Sequence, residues 1–143
     1  MKRFIIAGFL FLSLAACEKN ENEAVPLPDL EVEKVSASHR TSVRTTGNTL
    51  QVELVAINDS RCPVNVNCVW AGSAALRFKV YDAQSETEVA LDFSGADKTK
   101  NSVSFNLNGQ GYLLRVSEVM PYPETSATPE LSDYTVSVTI EKK

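Results

Sequence analysis

Cys62 and Cys68 are the residues whose type and spacing point most directly to chemistry. They stand six positions apart in Asp59-Ser60-Arg61-Cys62-Pro63-Val64-Asn65-Val66-Asn67-Cys68-Val69-Trp70. Two thiols can hold a metal, exchange electrons or close a ring. Four-coordinate zinc needs further soft or imidazole ligands, and the chain has one histidine, His39, far away in sequence. A redox-active pair favours Cys-x-x-Cys at a helix start, where the thiolate is stabilised. Here the spacing is wider and the neighbours read as a loop entering a strand. A structural disulfide is the expected state in an oxidising compartment. Closing a ring of seven residues should stabilise the fold by about 2.4 kcal/mol on the chain-entropy estimate.

The third cysteine, Cys17, indicates that compartment. Met1-Lys2-Arg3 gives a positive start, and Phe4 to Ala16 is an apolar stretch ending in small residues. That pattern reads as a secretory leader, because a spanning helix needs about 20 apolar residues. Leu14-Ala15-Ala16-Cys17, directly behind the apolar stretch, resembles the lipobox of bacterial lipoproteins at all four positions. The resemblance implies a diacylglyceryl group on the Cys17 thiol and cleavage before Cys17, with residues 1–16 lost. Several buried acyl chains, at about 0.8 kcal/mol per methylene, anchor more durably than one myristoyl chain.

From Cys17 to residue 30 the chain is charged and carries two prolines, the composition of an extended tether. Glu18 is not the Asp that marks inner-membrane retention in enteric bacteria. The acidic run also resembles export signals that bring some Bacteroidota lipoproteins to the cell surface. The expected address is therefore the bacterial envelope, at the outer membrane on its periplasmic or outer face.

Other candidate groups are sparse. His39 lies between Ser38 and Arg40 in a polar stretch and is expected on a solvated edge. Asp92 and Asp97 bracket Ser94-Gly95-Ala96, but the fuller ligand run of a calcium loop is missing, so a solvated turn is expected. No serine lies in a nucleophile motif, and no metal site or cofactor is expected. Trp70 shares the parity of Leu76 and Phe78, which predicts a core tryptophan covering the disulfide; the rival reading is an exposed contact beside a rigid loop. Arg61 stands close enough to join such a contact. Val64 and Val66 are candidates too, because a short ring cannot easily hide both, and so is Tyr122, framed by Pro121 and Pro123.

The elements that must position these residues are strands. Leu50, Val52, Leu54 and Ala56 alternate with Gln51 and Glu53, although Val55 and Ile57 make the other face partly apolar, and the run from Cys68 through Trp70 and Phe78 to Val80 keeps one parity, with a bulge expected at Ala71-Gly72-Ser73. Val89 to Phe93, Val103 to Leu107, Tyr112 to Val116 and Tyr134 to Ile140 alternate likewise, and a weak first strand falls within Glu31 to Ala37. No window after Cys17 carries a helical stripe. Met120 to Pro129, with three prolines, is expected to be a long connection carrying the chain from one layer to the other. The fold expected for residues 31–143 is an all-β, antiparallel, immunoglobulin-like sandwich of about seven strands with one local disulfide. The strand order is open.

Loss of Lys2 and Arg3 with the leader would leave 12 basic against 18 acidic residues, a net charge of −6. Such a body has no electrostatic reason to seek nucleic acid or an anionic bilayer. The Asp59-to-Pro63 and Cys68-to-Gly72 stretches, with Tyr112 to Tyr134, also resemble a group of small bacterial lipoproteins of no established activity. The function expected is non-catalytic binding or assembly on a membrane, with an envelope protein or surface ligand as partner. The alternatives are an envelope enzyme or metal-dependent protein with a site built from distant residues, and an inhibitor-like module using the Cys62–Cys68 loop.

Overall fold

The computed structural model describes residues 30–143. The leader, the expected lipidation site Cys17 and the tether up to residue 29 lie outside these described residues. Eight strands follow in order: β1 (Glu33–Ser36), β2 (Thr41–Arg44), β3 (Thr49–Asp59), β4 (Ala74–Tyr81), β5 (Glu86–Phe93), β6 (Ser102–Leu107), β7 (Gln110–Met120) and β8 (Thr135–Lys142). They form two four-stranded sheets, ordered β1-β8-β7-β6 and β2-β3-β4-β5, with every pairing antiparallel. The expected all-β sandwich is present, with eight strands instead of about seven.

The strand order is a meander wrapped into two layers. β2 to β5 pair in sequence, β6 to β8 pair in sequence, and β1 closes beside β8. Neither sheet contains the B–E pairing of immunoglobulin domains, so the likeness to them ends at two packed antiparallel sheets. The chain changes layer between β1 and β2 and between β5 and β6. The proline-bearing connection after Met120 does not change layer, contrary to expectation: β7 and β8 are neighbours in one sheet. It is long because it leaves the sheet end and returns to the same edge.

Alternation explains the core. In β4 the residues Ala74, Leu76, Phe78 and Val80 point inward and are buried, while Ala75 and Arg77 face out. Val52 and Leu54 on β3, Val89 and Leu91 on β5, and Leu114, Val136, Val138 and Ile140 from the other sheet meet them. Side chains like these contribute about 1.5–3 kcal/mol each when buried. β2 escaped the sequence reading because Thr41, Ser42 and Arg44 are polar and only Val43 is buried.

The sandwich has two unlike ends. At one, short turns join the strands at Thr45–Asn48, Asp82–Ser85 and Asn108–Gly109. Asn108 and Gly109 both have positive φ, 50° and 76°, as a two-residue hairpin of this kind requires. The other end carries the connections 60–73, 94–101 and 121–134. Glu31, just ahead of β1, pairs with Arg44 at 3.2 Å, so the described chain starts toward the turn end.

Candidate functional site

Beyond Asp59 and Ala74 the β3–β4 ladder does not stop at once. Ser60 N donates to Ser73 O at 2.9 Å, and Cys62 N donates to Ala71 O at 2.8 Å. The approach is so close that a Cβ on Gly72 would lie 2.0 Å from the Ser60 carbonyl oxygen, and Gly72 has a φ of +70°. Only glycine fits there. The register shifts fall elsewhere, between Leu54 and Ala56 and between Val116 and Glu118, not at the expected Ala71 to Ser73.

Strand β4 therefore starts at Ala74, six residues later than the continuous parity from Cys68 implies. That moves Trp70 out of the core. Its side chain is 77% exposed and its neighbour Val69 96% exposed, so the expected cover over the disulfide is corrected: the loop breaks register at Gly72 and the parity argument no longer applies. The disulfide itself is formed, with Cys62 and Cys68 Cα atoms 5.9 Å apart. Val64 is 62% exposed and Val66 is also exposed.

Arg61 takes the opposite course. Expected as a contact residue, it is buried, and its side chain is spent within the fold. Nε donates to Asp59 Oδ1 at 2.8 Å and Nη2 to Asp59 Oδ2 at 2.6 Å, a bidentate pair. Nη1 donates to Val119 O and Nη2 to Pro121 O, both at 2.8 Å. The Tyr122 ring lies against the guanidinium, 4.9 Å from its centroid. Tyr134 donates its hydroxyl to Asp59 Oδ2 at 3.2 Å.

This cluster ties the end of β3 in one sheet to the end of β7 and the start of β8 in the other. Burial works against the charged form of Asp59, but hydrogen bonds from the Arg61 side chain and backbone, the guanidinium charge and Tyr134 outweigh it. The carboxyl is held below its ordinary value. Burial also raises the Tyr134 phenol, and the Asp59 carboxylate beside it adds to the rise.

The two long connections are braced against each other. Val64 N donates to Pro123 O at 3.0 Å, Asn65 Nδ2 to Thr125 Oγ1 at 2.7 Å, and Thr125 N to Asn65 Oδ1 at 3.1 Å. This braced loop end, called the plateau below, exposes Val64, Val66, Val69 and Trp70 on one loop and Met120, Tyr122 and Leu131 on the other segment. Of the large hydrophobic side chains exposed among the described residues, these make up all but Val32. Beside them, between the end of β3 and residues 123–134, lies a groove of about 550 Å³.

No family model matches this sequence, and no curated protein or solved structure matches it. The remaining candidates lie outside the two braced connections. His39 is exposed, within 3.3 Å of Ser36 Oγ. Asp97 caps the short 3-10 turn Lys98–Lys100, accepting from Thr99 N at 3.1 Å, while Asp92 faces solvent on β5. Among the described residues no three His, Cys, Asp or Glu side chains converge as metal ligands. The sequence reading missed the Asp59–Arg61–Tyr134 cluster. The signal available for it was the i, i+2 spacing of Asp59 and Arg61, which puts both on one face of an extended segment.

Proposed function

We propose that this chain is a lipid-anchored lipoprotein of the bacterial envelope, held by Cys17, that presents its loop end to a partner protein without catalysing a reaction. The observation that carries the reading is the plateau: exposed Val64, Val66, Val69, Trp70, Met120, Tyr122 and Leu131 gathered on two connections that a disulfide and a buried ion pair keep stiff. Exposed apolar patches on soluble domains mark interaction sites. Rigid aromatic and aliphatic anchors also lose little entropy on binding. The Glu31–Arg44 pair supports the orientation, because it sets the first described residues at the turn end, opposite the loop end. An outer-membrane location and loss of residues 1–16 belong to the same proposal.

Two experiments test it. Intact mass of the membrane-extracted protein should show Cys17 at the amino terminus with its acyl groups; an unprocessed Met1 start without lipid would refute the anchor. A photo-crosslinking residue at position 70 should give discrete protein adducts in intact cells, while one at Gln84, exposed in a turn at the other end, should give none. Indistinguishable patterns at the two positions would refute the contact surface.

A further inference from the structure

We propose that the uncovered half of β3, at the wall of the groove, accepts an extended basic segment of a partner protein as an added strand. The proposal rests on the reading of the loop end as a contact surface and names what the partner presents there.

β2 pairs with β3 only from Thr49 to Val52. Beyond that point β3 runs on to Asp59 with β4 on one side and, among the described residues, no strand on the other. The register shift at Leu54/Ala56 falls within this stretch. An edge of this kind offers unpaired backbone N–H and C=O groups on alternate residues. Natural edges are blunted by Lys, Pro, bulges or cover; Val55-Ala56-Ile57-Asn58 contains no Lys or Pro, and the register shift at its start is the one such device it carries.

The connection opposite does not fill the vacancy. Among the described residues, no backbone hydrogen bond joins 53–59 to 121–134. Instead the groove of about 550 Å³ separates them, with Val55 and Ile57 on one wall and Ala127, Pro129 and Leu131 on the other. Val55 to Asp59 spans about 16 Å at roughly 3.3 Å per residue, room for a strand of about five residues. Backbone ladder on one side and apolar pockets on the other is the arrangement of strand addition.

Charge selects the segment. Glu124, Glu130 and Asp133 are exposed on the connection and form no ion pair among the described residues. The segments 59–73 and 118–134 contain one basic residue, Arg61, which is buried against Asp59. Glu124 and Glu130 adjoin the groove residues Pro123, Pro129 and Leu131 in sequence, so an incoming strand that alternates apolar side chains with Lys or Arg suits both the groove and the carboxylates flanking its lining. A second copy of this acidic chain or an anionic bilayer does not.

The test is selection of a random dodecapeptide phage library on the detergent-purified full chain. Enriched peptides should alternate apolar and basic residues. N-methylation of alternate backbone amides in a synthetic copy should weaken binding at least tenfold. Leu131→Lys, at an exposed position, should weaken it severalfold, whereas Val69→Ser with Trp70→Ser should change it less than twofold. Absence of enrichment, acidic or non-alternating sequences, tolerance of N-methylation, or self-association of the chain through this edge would each overturn the inference. Adducts at position 70 without enriched peptides would sink the added strand and leave the plateau standing. Enriched strand-forming peptides without adducts would do the reverse.

Discussion

The two ends of the sandwich use the same number of strands and hold them together differently. At the turn end, each hairpin is closed by residues close in sequence, Thr45 with Asn48, Asp82 with Gln84 and Ser85, Asn108 with Gly109, and among the described residues only single side-chain bonds, Asn48 to Tyr112 and Asn108 to Gln84, link one turn region to another. At the loop end, Arg61 reaches carbonyls 58 and 60 positions away, and Asn65 reaches Thr125. Local closure leaves little to present to a partner. Closure across the molecule allows long connections to be stiff, and stiffness is what lets apolar side chains stand in water in a fixed array.

The largest effect expected from this contrast is at Arg61. Arg61→Ala leaves the buried Asp59 carboxylate without its partner, which should cost about 3–5 kcal/mol, read as a shift in the urea midpoint. Gln84→Ala in a turn at the other end should stay within about 0.5 kcal/mol. Comparable losses at the two positions would erase the distinction. Next in size is the disulfide: Cys62→Ser with Cys68→Ser should cost about 2.4 kcal/mol. Hydrogen exchange should then speed up at Val64 and Thr125, whose amides the brace protects, and stay unchanged at Ser85.

A smaller effect is expected from pH. The folded carboxyl of Asp59 lies below its unfolded value of about 3.9. The folded state therefore holds fewer protons than the unfolded one in the interval between them, and stability falls as the pH drops through that interval. Above it the contribution is complete. Tyr134, raised when folded, has the opposite sense: its contribution is complete below about pH 10 and is lost as the pH rises through the folded value. Asp59→Asn should therefore flatten part of the acid limb in a series of unfolding curves. An unchanged acid limb would mean that the cluster does not govern this end.

The same contrast governs what could be read from the sequence. The buried faces of β4 to β8 were legible because period-2 alternation is a local consequence of one face meeting a core. Trp70 was misread because parity was carried across Gly72, where the chain passes over Ser60 O and leaves the strand. β2 has one inward residue, Val43, too little for a pattern. Burial of Arg61 could not be read at all, since guanidinium donors satisfied by Val119 and Pro121 depend on the closed sandwich. The disulfide was legible from its spacing and the expected compartment, and the exposure of Val64, Val66 and Tyr122 from the difficulty of hiding apolar side chains in a short ring or between prolines.

The most direct measurement is on the Val69→Ser and Trp70→Ser double variant, followed for unfolding and for partner adducts from a crosslinking residue at position 64. Both side chains are exposed, so the unfolding free energy should remain within about 0.5 kcal/mol of the parent. The adducts should fall at least tenfold. Full retention of adducts, or a loss of stability large enough to explain their disappearance, would contradict the assignment of this end as a braced contact surface.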